Sequence, residues 1–186
     1  MSIPIRNADP LHIVASERTF FVTSSTWGRR GLLQSARAAE LLIDVLYHYR
    51  SLQKYLLHEF VVMPDHFHLL LTVPAEISVE KAAQLIKGGF AFRAGRELGF
   101  SAPVWQKGFW EVRVNEREAF GKMREYIHSN PVRRFLATAS ADYLYSSPRS
   151  DFELDPPPQR LKALEKNASF GIAKSDALIR IPNTNP

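Results

Sequence analysis

Two strand-like runs, KYLLHEFVV at 54–62 and HFHLLLTV at 66–73, are separated only by Met63-Pro64-Asp65. So short a connection makes a β-hairpin the economical arrangement, because parallel strands need a crossover of a dozen or more residues. Pro64 presets φ for a tight turn, and Asp65 can hydrogen-bond the neighbouring backbone. The rest of the fold has to be built round this hairpin.

On its N-terminal side, RTFFVTSSTW at 18–27 is rich in aromatic and β-branched residues and reads as a strand, broken by GRRG at 28–31. From Leu32 to about Gln53 apolar residues recur at helical spacing, with Ala39, Leu42, Ile43, Leu46 and Tyr47 on one stripe. On the C-terminal side Ser78 is placed to cap a helix from Val79 to about Leu98, partly interrupted by Gly88-Gly89. FWEVRV at 109–114 is a short fourth strand. Asn115, with Glu118 three residues on, has the form of a capping box for a last helix, and Pro131 is expected to end that helix at Asn130. The order β-α-β-β-α-β-α predicts an α+β fold: a ferredoxin-like (split βαβ) four-stranded antiparallel sheet with one added helix.

Periodicity fades beyond about residue 137, where ASADYLYSSPRSDFELDPPPQR is polar and proline-rich. Residues 137–186 are therefore expected to be a partly irregular C-terminal extension that drapes over the domain. The chain has 186 residues, enough for a real core, with 45% hydrophobic and 23% charged residues, the balance of a globular protein. It contains no cysteine, which excludes disulfides and thiolate metal sites. No apolar run approaches the roughly 18 to 20 residues that span a bilayer. MSIPIRNADP at the start has neither the basic nor the apolar region of a signal peptide, so no membrane association and a cytoplasmic location are expected.

His66 and His68 sit one residue apart inside a run that otherwise favours burial. On a strand they share a face with Leu70 and Thr72, while Phe67, Leu69, Leu71 and Val73 point the other way. The wholly apolar set belongs beneath the two crossover helices, which leaves the histidine face open to the third helix or a ligand. A two-residue turn would set His68 opposite Val61 and bring Glu59 onto the histidine face. Two imidazoles at i and i+2 can bind one metal ion with nearby oxygen ligands, although H-x-H alone occurs in many unrelated settings. His48, His58 and His12 have no partner at such spacing and read as surface or hydrogen-bonded core residues.

The net charge of +5 suits a polyanionic partner. Lys87, Arg93, Arg96, Lys107, Arg113, Arg117, Lys122, Arg124, Arg133 and Arg134 follow the histidine pair, interleaved with Phe90, Phe92, Trp105, Phe109 and Trp110. Cations for phosphates beside aromatic faces for stacking are what a single-strand binding surface needs. A solvated helix face with ordinary core aromatics accounts for several of the same residues. In REYIHSNPVRR at 124–134, Tyr126 and Asn130 are four apart and share one helix face. A tyrosine near a metal can act as a nucleophile and an amide oxygen one turn on can be a ligand; an amphipathic helix ending at an asparagine is the plain alternative.

VVMPDHFHLLL, then VWQKGFWEVRV, then YIHSNPVRR resemble, in that order, the REP-associated tyrosine transposases of the single-tyrosine HUH superfamily. The resemblance runs from FFVTSSTWGRRGLL to DYLYSSPRS, over about residues 18–148. It implies a transposase domain over 1–136, with its core from about residue 18. It implies His66 and His68 as metal ligands with Asn130 completing the set, Tyr126 as the catalytic tyrosine, and the added helix as the catalytic helix. The implied cofactor is Mg²⁺ or Mn²⁺, and the implied partner is single-stranded or hairpin DNA of REP type. The implied chemistry is nicking and strand transfer through a 5′-phosphotyrosine. Arg93, Arg96, Arg133 and Arg134 are the candidate phosphate contacts, and both monomer and homodimer occur among such proteins. Arg134-Phe135-Leu136 departs from the small, glycine-containing segment usual after this motif. A water-using metal phosphoesterase and a non-catalytic nucleic-acid binder are the alternatives on the same fold.

Overall fold

A computed structural model describes residues 16–162; His12 and the part of the C-terminal extension from 163 onward lie outside the described residues. Its elements run β1 (Arg18–Ser25), α1 (Ala36–Ser51), β2 (Leu56–Met63), β3 (His66–Val73), α2 (Val79–Leu98), β4 (Trp110–Arg113) and α3 (Arg117–Arg133), with short 3₁₀ turns at Trp27–Arg29 and Ser140–Asp142. The four strands form one antiparallel sheet in the order β2-β3-β1-β4, the split βαβ arrangement expected from the element order.

The hairpin turns at Pro64-Asp65, so Val61 pairs with His68 and Met63 with His66. Parity then sorts the sheet. Phe20, Val22, Phe60, Val62, Phe67, Leu69, Leu71 and Val73 pack with Leu42 and Leu46 of α1 and Ile86 and Phe90 of α2. Phe21, Val61, Met63 and Leu70 face the other way and meet Phe120 and Ile127 of α3. The histidine face is thus covered by the added helix, which is amphipathic and buries its apolar stripe there. A bulge between Leu57 and Glu59 returns Leu57 to the face under the helices while Glu59 stays on the histidine face.

Three local expectations are corrected. Gly88-Gly89 does not interrupt α2, which is continuous from Ser78, whose side chain accepts from the Lys81 N–H. Gly89 is instead where α1 comes close: a Cβ there would lie 2.8 Å from the Tyr49 ring. The cap of α3 is Glu116, without a side-chain cap bond, rather than Asn115. The Asn115 carbonyl instead accepts from the Lys162 N–H at 3.0 Å. Finally, α3 does not stop at Asn130 but runs through Pro131 to Arg133. Proline forfeits only its own donor there, and the Asn130 and Pro131 carbonyls still accept from the Arg134 and Leu136 N–H groups, at 3.2 and 2.9 Å.

Residues 143–155 lie along the outer edge of β2. The Val62 N–H donates to the Tyr145 carbonyl and the Ser147 N–H to the Phe60 carbonyl, both at 2.9 Å. The Tyr143 hydroxyl donates to the Val62 carbonyl at 2.9 Å, and the Asp155 N–H to the Leu57 carbonyl at 2.9 Å. An edge that would otherwise offer unpaired backbone groups is covered. Among the described residues, no helix is long and apolar enough to cross a membrane.

Candidate active site

His66 and His68 start β3, directly after the turn, and both are buried. Their rings lie 4.8 Å apart between centroids. The His68 ring stacks on Phe21 at 5.3 Å and meets the edge of Tyr126 at 5.2 Å. Its Nδ1 is 2.7 Å from the Thr23 hydroxyl, the residue paired with it on β1. Burial, reinforced by the neighbouring His66, holds the His68 imidazole well below its ordinary pKa, so the ring is neutral at neutral pH.

His66 Nδ1 lies 2.6 Å from Asp65 Oδ1. The other Asp65 oxygen is 3.4 Å from Arg29 Nη1. Burial alone would raise the Asp65 carboxyl, but the His66 hydrogen bond and the charges of His66, Arg29 and Arg134 outweigh it and leave the group below its usual value. A carboxylate can only accept, so His66 donates from Nδ1, which leaves Nε2 turned away from Asp65. Where Nδ1 of His68 donates to the Thr23 hydroxyl, Nε2 is the ring's free acceptor, and among the described residues that buried atom has no hydrogen-bond partner. A buried orphan nitrogen costs about 1–3 kcal/mol. A cation fits this pair, since carboxylate or hydroxyl support at one ring nitrogen is how metal-binding imidazoles are oriented. Among the described residues there is no cluster of three His, Cys, Asp or Glu side chains suited to a metal. The Asn130 amide of α3 is the candidate for a further donor beside the two imidazoles.

Helix α3 brings Tyr126 and Asn130 over this face. Asn130 is buried, and its side chain hydrogen-bonds the Tyr126 hydroxyl. The Tyr126 ring also meets the edge of Phe21 at 5.8 Å, and the Arg133 guanidinium carbon stands 5.6 Å from the Tyr126 ring centroid. Burial raises the Tyr126 phenol above its ordinary pKa, while the Asn130 hydrogen bond and the charges of Arg133 and Arg134 pull it partly back. The phenol is protonated at neutral pH. The continuation of α3 through Pro131 is what carries the Arg133 and Arg134 charges to this hydroxyl.

The four arginines singled out from sequence do not gather in one place. Arg93 and Arg96 lie on α2, which covers the opposite sheet face. Arg93 Nε pairs with Glu97 at 2.7 Å, and Arg96 stands over the Phe92 ring at 5.5 Å. Phe90 and Trp105 belong to the core beneath the helices and cannot stack on a base. Trp110 is different: on β4 it pairs with Thr23 of β1, shares the histidine face, touches the Phe21 ring edge at 5.8 Å and is 41% exposed.

Two further residues sit at this face. Glu59 Oε2 is 2.7 Å from His128 Nε2 of α3 and accepts from the Ser147 hydroxyl at 2.6 Å. Helical spacing sets His128 away from Tyr126, and only the strand register shows that Glu59 lies where His128 turns.

The ferredoxin-like sheet thus carries its paired histidines beneath a tyrosine-bearing helix. Residues 20–130 match the family model for IS200-like transposases, and the chain belongs to that family. A Haemophilus influenzae protein described as a REP-associated tyrosine transposase is 25% identical over an alignment of 136 residues that covers 64% of this chain and 77% of that one. This match bears out the resemblance carried by the three motifs. The solved structure of a REP-associated tyrosine transposase bound to a REP hairpin shares the fold, with a TM-score of 0.65 and 22% identity over 78% of this chain and 82% of that one.

Proposed function

We propose that this chain nicks and rejoins single-stranded DNA at hairpins, with Tyr126 as nucleophile. The observation that supports it best is the meeting, in one chain, of Tyr126 with a neutral His68 that keeps a bare Nε2. His66, His68 and Asn130 would hold a Mg²⁺ or Mn²⁺ ion, which would supply Lewis acidity toward the scissile phosphate, and imidazole donors favour Mn²⁺.

The chain's own residues do the rest. Tyr126 Oη attacks the scissile phosphorus, the bond from phosphorus to O3′ breaks, and the phenolic proton is transferred overall to O3′. The products are a 5′-phosphotyrosine and a free 3′-hydroxyl. Because the phosphodiester is conserved, a second 3′-hydroxyl reverses the step without ATP. The Asn130 hydrogen bond and the Arg133 and Arg134 charges favour the developing phenolate, opposing the burial that keeps the phenol protonated at rest. Arg133 and Arg134 also suit phosphates of the incoming strand, and Trp110 offers a stacking face beside it. Hairpin DNA is the proposed substrate because the structural neighbour is bound to a REP hairpin. A cytoplasmic location goes with that substrate.

The test is incubation of the protein with labelled hairpin oligonucleotides from the gene's own flanks and Mn²⁺, followed by denaturing electrophoresis. A labelled protein band resistant to denaturation is expected. DNA cut without such a band would indicate attack by water and overturn the reading.

A further inference from the structure

We infer that Glu59 is a positioning residue that seats the tyrosine helix on the histidine face and ties that helix to the C-terminal segment; the inference rests on the strand-transfer reading. Glu59 is buried on β2 and pairs across the sheet with Leu70, two residues from His68 on β3. One of its oxygens takes hydrogen bonds from two separate elements: His128 of α3 at 2.7 Å and Ser147 of the edge segment at 2.6 Å. Ser147 is itself fixed, since its hydroxyl oxygen accepts from the Phe60 N–H at 3.1 Å. A buried carboxylate needs such donors, and each bond to it is directional.

Direction is what apolar contact alone does not give the helix. Apolar packing of Phe120 and Ile127 holds α3 to the sheet, but hydrophobic contact is non-directional and tolerates sliding and rotation. His128 lies in sequence between Tyr126 and Asn130, so its bond to Glu59 sets the helix at the turn where both work. A displacement of about 1 Å at reacting groups can cost about 10²-fold in rate. The segment 143–147 thereby belongs to the positioning apparatus, because it supplies the second donor to the same oxygen.

The experiment compares wild type with Glu59→Ala, Glu59→Gln, His128→Ala and the Glu59→Ala/His128→Ala double variant. Amide exchange, hairpin affinity and the single-turnover rate of adduct formation at saturating hairpin and Mn²⁺ are measured for each. Glu59→Ala should speed exchange across α3 roughly tenfold relative to β3 and α1. It should leave hairpin affinity within about twofold and slow adduct formation by about 10²-fold. Glu59→Gln keeps an acceptor for Ser147 and should recover most of the rate. The double variant should be no worse than Glu59→Ala, since Glu59→Ala already removes the one contact that His128→Ala cuts. Unchanged α3 exchange, uniform acceleration over the whole fold, or an unchanged adduct rate would overturn the assignment. A wild type that forms no adduct sinks strand transfer instead, and the exchange pattern then decides alone whether Glu59 clamps the helix.

Discussion

The Thr23 hydroxyl lies 2.7 Å from Nδ1 of His68, on the strand beside it. This contact occupies one ring nitrogen and leaves the other to a ligand. Thr23→Val keeps the shape but removes the hydrogen bond. Divalent-metal affinity should fall about 10- to 100-fold, as it does when outer supports of metal ligands are lost. Stability should drop by roughly 1–3 kcal/mol, the cost of a buried nitrogen left without a partner. Titration of Mn²⁺ into DNA-free protein by calorimetry checks the first effect. Affinity equal to wild type would show that the Thr23 contact does not support a metal-binding His68.

The division of the basic residues between two sheet faces predicts a division in salt dependence. Each phosphate neutralised on a single strand contributes about −0.7 to the log–log slope of affinity against salt. Arg133→Ala and Arg134→Ala should each lessen the slope by about that amount. Arg93→Ala and Arg96→Ala, with their side chains engaged on α2, should leave it unchanged. Trp110→Ala should weaken binding by about 1–3 kcal/mol if a base stacks there. Fluorescence anisotropy with a hairpin over a range of salt separates these outcomes. A larger slope change from Arg93 than from Arg133 would put the DNA on α2.

Strand parity made most of this site legible before any coordinates. His66, His68 and Glu59 fall on one face once the Pro64-Asp65 turn sets the register, and Tyr126 and Asn130 fall on one helix face by spacing alone. What failed was local. Pro131 suggests a stop because proline disfavours helix at the residue before it, yet Asn130 is buried and α3 runs on to Arg133. The contacts of Glu59 with His128 and Ser147 span 69 and 88 residues, and no local pattern encodes a meeting at that separation. Charge order likewise could not show that α2 and α3 lie on opposite faces.

Arg50 grips the Asp155 carboxylate through two nitrogens, Nε at 2.8 Å and Nη2 at 2.9 Å, and the Leu57 N–H adds a third bond at 2.7 Å. Burial by itself would raise the Asp155 pKa, but the Arg50 and Leu57 hydrogen bonds with the Arg50 charge bring it below its ordinary value. A depressed folded-state pKa contributes stability that is fully present above the unfolded value, about 3.9, and is lost as pH falls through the folded value. Asp155→Asn should therefore cost about 1 kcal/mol at neutral pH, after discounting for solvent screening. The difference from wild type should be flat from about pH 8 to 5 and close only below about pH 4. Urea denaturation of both proteins across that range measures it. A gap that narrows between about pH 8 and 5 would contradict the assignment.

Tyr126→Phe separates a tyrosine nucleophile from an attacking water. The ring's edge contacts with Phe21 and His68 do not involve the hydroxyl, and the hydroxyl's side-chain bond is to Asn130. Losing that bond should cost about 1 kcal/mol, so the fold should survive. Metal and hairpin binding should persist, because neither uses the phenol oxygen. Chemistry should stop, since the attacking atom is gone and neither the 5′-linked adduct nor the free 3′-hydroxyl can form by this route. Circular dichroism, calorimetry with Mn²⁺ and denaturing electrophoresis of labelled hairpin address the three points in turn. Cleavage by the phenylalanine variant at a rate near wild type would assign the attack to water and leave Tyr126 a packing role.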